Sequence, residues 1–71
     1  MKETTLKDVA HATPFVPFVI HLEDGRSVNV PAPDFLTINP TGRTVVVWTA
    51  QGAMRIITMG MITEINAEQP Q

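Results

Sequence analysis

Residues 43–49 read Arg43-Thr44-Val45-Val46-Val47-Trp48-Thr49, a run with apolar side chains on both of its alternating faces. A strand with one wet face alternates apolar and polar residues. A strand written this way belongs at the centre of a sheet, or has its second face covered. Gln51-Gly52 supplies a turn, and Ala53-Met54-Arg55-Ile56-Ile57-Thr58-Met59 is the expected antiparallel return. Gly60 interrupts that strand, and Met61-Ile62-Thr63-Glu64-Ile65 reads as a short fifth one, so a 3₁₀ corner is expected at Gly60. The residues from 67 to 71 read as a flexible tail.

Upstream, residues 15–22 read as a first strand, with Val16, Phe18, Ile20 and Leu22 on one face. Pro17 has no N–H to give to a ladder, which places its neighbourhood at an edge or a bulge. Asp24-Gly25 reads as a type I′ hairpin turn, after which Val28 and Val30 alternate inward. Pro31, Pro33 and Pro40 exclude a central strand over 31–40. Asp34 is expected to cap one helical or 3₁₀ turn through Phe35, Leu36 and Ile38, and Asn39-Pro40-Thr41-Gly42 to form a type I turn. At the N-terminus, residues 5–12 read as a short helix. Thr5 stands at the N-cap, Asp8 three residues on, and Leu6, Val9 and Ala10 form one apolar stripe. Pro14 ends it.

The chain has 71 residues, which is one domain over 1–71. Thr, Val and Ile supply 23 of them, and β-branched side chains favour a pleated surface. The reading is therefore mainly β: a short N-terminal helix, then a five-stranded antiparallel sheet over 15–66 that closes into a small barrel. The alternative is an open antiparallel sheet completed by dimerisation. Closure is preferred because it removes edges. With no cysteine there is no disulfide or thiolate clip, and a core this small supplies about 3–5 kcal/mol.

Two resemblances follow. The string Pro14-Phe15-x-Pro17-Phe18-x-Ile20-x-Leu22-x-Asp24-Gly25-Arg26, followed by Pro33-x-Phe35 and Pro40-x-Gly42-Arg43-x-Val45-Val46-Val47, resembles a set of short bacterial proteins. That resemblance covers most of the chain and implies a pattern but no chemistry. A short helix, a strand leading into Asp24-Gly25-Arg26, and a 3₁₀ break before a short last strand are similar to the Sm-like and SH3-like small barrels. This second resemblance implies a fold. The Sm uridine loop carries an Asp and an Asn four residues apart, whereas Asp34 and Asn39 are five apart; Gly60 lies between two methionines rather than beside a basic residue. Fold of itself implies no function.

Catalytic chemistry is not written in the chain. Ser27 is the only serine and stands in no nucleophile elbow. The four glycines never cluster into a phosphate loop. His21 with Glu23, and His11 on the helix, read as solvent-facing side chains rather than a metal site, which needs three or four ligands. The reading is a non-enzyme with no catalytic, cofactor or metal residue. A net charge of −2 argues against a general attraction to nucleic acid or anionic lipid. Arg26, Arg43 and Arg55 are the only candidate nucleic-acid contacts, and Trp48 reads as core rather than as a stacking platform. No signal peptide or membrane span is read, so a cytoplasmic location is expected. The expected partner is a second copy of the chain, or another protein. The candidate interface is Val45, Val47, Trp48, Met54, Ile57, Met59 and Met61, the apolar surplus of the 44–61 hairpin.

Overall fold

A computed structural model describes residues 3–67, with side chains from residue 5 onward. One helix, α1 (Glu3–Ala10), precedes six strands: β1 (Phe18–Leu22), β2 (Ser27–Val30), β3 (Leu36–Ile38), β4 (Thr44–Trp48), β5 (Met54–Thr58) and β6 (Ile62–Ala67). Short 3₁₀ turns at Pro33–Phe35 and Met59–Met61 link β2 to β3 and β5 to β6. The strands form two three-stranded antiparallel sheets, β2-β1-β6 and β3-β4-β5.

The helix begins at Glu3 and ends at Ala10, so Thr5 lies inside it and is not its N-cap. Its stripe is as the spacing demands. Leu6 and Ala10 are buried, and Val9 packs half-buried against the same core. Beyond Ala10 the His11 N–H donates to the Lys7 carbonyl, and the chain then turns away before Pro14. The first strand starts at Phe18 rather than at Phe15, because Pro17 has no N–H to enter the ladder. From Phe18 the alternation holds: Phe18, Ile20 and Leu22 are buried, with Val28 and Val30 beside them on β2.

The first hairpin turn is not type I′. Among the described residues no non-glycine has positive φ, so Asp24 does not fit that turn, and within this loop only Gly25, at φ 90°, is left-handed. The Gly25 N–H donates to the Leu22 carbonyl and the Leu22 N–H to the Arg26 carbonyl. This is a three-residue loop, a type I turn closed by a left-handed glycine. Thr49 to Ala53 repeats it, with Gly52 at φ 86° in the same place. Asn39-Pro40-Thr41-Gly42 forms its turn as read. The Gly42 N–H reaches the Asn39 carbonyl at 2.8 Å, and the Asn39 Oδ1 accepts from the Thr41 N–H and hydroxyl.

Two further departures decide the architecture. Leu36-Thr37-Ile38, read as the tail of a turn, is a strand that pairs with Val47, Val46 and Val45. The sheet segments therefore number six rather than five. Pro31 and Pro33 fall between β2 and β3, where a continuous strand could have run from one sheet into the other. Neither proline can donate to a ladder. The two sheets remain separate, and no closed five-stranded barrel forms. The chain passes between them at the 3₁₀ corner around Gly60, where each ladder is extended by one backbone hydrogen bond: the Met59 N–H donates to the Arg43 carbonyl beside β4–β5, and the Glu23 N–H to the Met61 carbonyl beside β1–β6. The last strand is longer than expected. Ala67 pairs with Phe18, so it is ladder and not tail; residues 68–71 lie outside the described residues.

Inward side chains of both sheets and of α1 meet in one cluster, with Leu6, Ile20, Val45 and Val47 wholly inaccessible to solvent. No polar or charged residue is buried among the described residues. None of their helices is long and apolar enough to cross a membrane.

Candidate functional site

β4 sits between β3 and β5, and its pleat sends neighbouring side chains to opposite sides. Val45 and Val47 point inward. Val46 and Trp48 point outward, and their register partners on β5, Ile56 and Met54, go with them. The inner members are consumed by the core: Val45, Val47, Ile57 and Met59 are buried, and Met61 packs half-buried against them. The outer members form a cross-strand pair of pairs. Trp48 is 42% exposed, Met54 opposite it 52%, and Ile56 65%. Thr37, Thr44 and Thr58 complete this face, which holds no charged residue on β3, β4 or β5.

Of the seven interface residues read from the sequence, the structure thus leaves Trp48 and Met54 on the surface, and it brings Val46 and Ile56 beside them. Trp48 is not a core residue. It lies on the outward parity at the end of β4, next to wholly buried Val47, and a run apolar on both faces gives no means of telling which parity is inside. Ile56 and Val46 could have been found only by fixing that parity. The signal for it was Arg55, the one charge in the hairpin strands, but Arg55 sits on the same parity as buried Ile57.

Arg55 borders a second feature. Its register partner is Val47, so it occupies the inward parity near the turn of the β4–β5 hairpin. There it lines a cleft of about 380 Å³ with Ser27 and Asn29 of β2, Pro31, Phe35, Trp48 and Gln51. The cleft has no acidic residue in its lining, and the side chain of half-buried Arg55 makes no hydrogen bond or ion pair among the described residues.

The other two arginines lie elsewhere. Arg26 is in the first hairpin loop, where its Nε–H donates to the Asp24 carboxylate at 2.7 Å and its backbone N–H to the same group at 3.0 Å. That backbone bond, with the guanidinium behind it, holds the Asp24 carboxyl below the ordinary carboxylate range. Arg43 precedes β4, at the opposite end of the hairpin from Arg55. The three arginines do not converge. His21 lies on β1 between Ser27 of β2 and Glu64 of β6, and no ion pair joins it to Glu23. Among the described residues no three His, Cys, Asp or Glu side chains are grouped to hold a metal ion. Comparison of the chain with protein-family models, with curated proteins and with solved structures finds no match.

Proposed function

We propose that the protein is a non-enzymatic assembly module that associates with a second copy of itself through the outer face of β3-β4-β5. The observation that carries this reading is the row Val46, Trp48, Met54 and Ile56. It is an uncharged apolar surface on a chain whose own core is already closed without it. Contiguous exposed apolar residues of this kind mark interaction surfaces, and a face with no charge meets its own copy without electrostatic penalty. The edge supports the same partner. β5 pairs only with β4 among the described residues, and apart from the inward-parity Arg55 near its start it carries no proline, charge or bulge of the sort that blunts free edges.

The frame for this module is an SH3/Sm-like small barrel left open at Pro31 and Pro33. Support comes from the sequence of strands, β2-β1-β6 followed by β3-β4-β5, and from the 3₁₀ turn before the last strand. The scattered arginines favour an assembly surface over a nucleic-acid surface, which needs basic groups on one face.

Sedimentation velocity tests the proposal. The wild-type chain is expected to dimerise at roughly 50 µM, the affinity range open to a small patch. Ile56→Asp is expected to fold and to run as a monomer. A wild-type monomer at that concentration refutes the association, and a dimer that persists in Ile56→Asp refutes the face.

A further inference from the structure

We propose that the cleft beside Arg55 is a docking site for a short extended peptide carrying a carboxylate side chain, which adds as a fourth strand to the free edge of β2. The cleft shares Trp48 with the outer face of β3-β4-β5, but this inference does not rest on self-association.

The ladder between β1 and β2 fixes which backbone groups are free. The Leu22 N–H donates to the Arg26 carbonyl, which makes that pair a hydrogen-bonded one. In an antiparallel ladder such pairs recur every second residue, so Ile20 with Val28 and Phe18 with Val30 are hydrogen-bonded pairs as well. Ser27 and Asn29 fall between them, and their N–H and C=O groups point away from β1. β2 is the outermost strand of its sheet, and among the described residues no backbone hydrogen bond from another element reaches Ser27 or Asn29. Two residues with open donors and acceptors, roughly 7 Å apart along the strand, match an extended segment of about three residues. Beyond Asn29 the match stops, because Pro31 has no N–H.

The same residues form one wall of the Arg55 cleft. Phe35, Trp48 and Arg55 line the same cleft. A half-buried arginine with no acidic neighbour in its cleft is complementary to an anion from outside the chain. A peptide strand on the β2 edge supplies backbone partners for Ser27 and Asn29 and presents alternate side chains to the cleft. A carboxylate there meets Arg55, and an apolar neighbour meets Trp48 and Phe35. Backbone pairing gives the docking, and Arg55 selects for charge.

Trp48 is the sole tryptophan of the chain, so its emission reports on this cleft. The probe is an acetylated, amidated peptide VTVEVTV, titrated at protein concentrations where sedimentation shows a single species. A saturable change in Trp48 emission is expected below about 1 mM. The peptide VTVQVTV, or the variant Arg55→Gln, is expected to bind about fivefold more weakly, as for a partly screened charge-assisted bond. Asn29→Pro removes the outward N–H without touching the ladder to β1, and is expected to abolish the response while the fold is retained. In amide NMR spectra the Ser27 and Asn29 N–H resonances should move downfield on binding. No saturable response in wild type overturns the proposal, as does an equal response in Arg55→Gln or Asn29→Pro. An oligothymidylate that saturates the Trp48 signal when the peptide does not makes the cleft a nucleic-acid site and overturns it too. Because Trp48 also belongs to the outer-face row, the titration is repeated in Ile56→Asp, where the same peptide response is expected; dimerisation itself is read by sedimentation.

Discussion

Two isosteric substitutions one residue apart test the parity of β4. Val47 is wholly buried, between Leu36 and Arg55 in register, whereas Val46 is half-buried on the outer face between Thr37 and Ile56. Changing valine to threonine keeps the shape and replaces a methyl with a hydroxyl. At position 47 that hydroxyl enters a core with no buried polar residue, and burial without a partner costs about 1–3 kcal/mol. At position 46 water or a ligand of the outer face reaches it, and the cost stays within about 0.5 kcal/mol. The total stability of so small a core is about 3–5 kcal/mol. Val47→Thr should therefore lower the ratio of folded to unfolded protein by roughly 30-fold, taking a mid-range cost of about 2 kcal/mol. The corresponding drop in Tm is on the order of 10 °C for a domain of this length. Urea and thermal unfolding, followed by circular dichroism on dilute protein, read both values. Equal costs at the two positions would mean that both faces of β4 are dry within a single chain. That result would refute the assignment of inside and outside on which the exposed row rests.

Other expectations follow from the loops and the core. Gly52→Ala should cost about 1–2 kcal/mol, because φ there is 86° while a new Cβ meets nothing within 4 Å, so the whole cost is backbone strain. Gly60→Ala, in open space with no positive φ, should be nearly silent in the same thermal melt; equal losses would refute the assigned turn geometry. The Asp24 carboxyl should titrate at lower pH in the folded protein than in a peptide spanning residues 20–29, as read by carboxyl NMR. Its folded-state pKa is depressed, so the loop's contribution to stability is full above the ordinary carboxylate range of about pH 4 and fades as pH falls through the lower folded value. Identical midpoints in protein and peptide would refute that. Val47→Asp should unfold the chain rather than split a dimer, because the charge enters the core and not the outer face. A folded monomer of that variant would refute the burial of Val47.

Local structure was largely legible in the chain. Leu6, Val9 and Ala10 at helical spacing, the hairpin at Gly25, the turn at Gly42 and the corner at Gly60 all follow from near-neighbour sterics and hydrogen bonding, which act over a few residues. Helix limits were less so, since Thr5 is as acceptable inside a first turn as at its cap. β3 was hidden for a different reason. Three residues are too few for an alternation to register, and Leu36-Thr37-Ile38 is a strand only because Val45, Val46 and Val47 lie alongside to complete its ladder.

The sequence by itself determined a mainly β chain, its turns, and the residues that alternate on β1 and β2, because each of those depends on backbone geometry within a hairpin. Tertiary structure alone decided that the strands divide into two sheets, which face of β4 is dry, and that Arg55 stands without an acid beside a free strand edge. Each of these depends on what lies across a gap from residues distant in the chain. Where both parities of a strand are apolar, nothing local distinguishes them, and the choice falls to whichever side the rest of the core can reach.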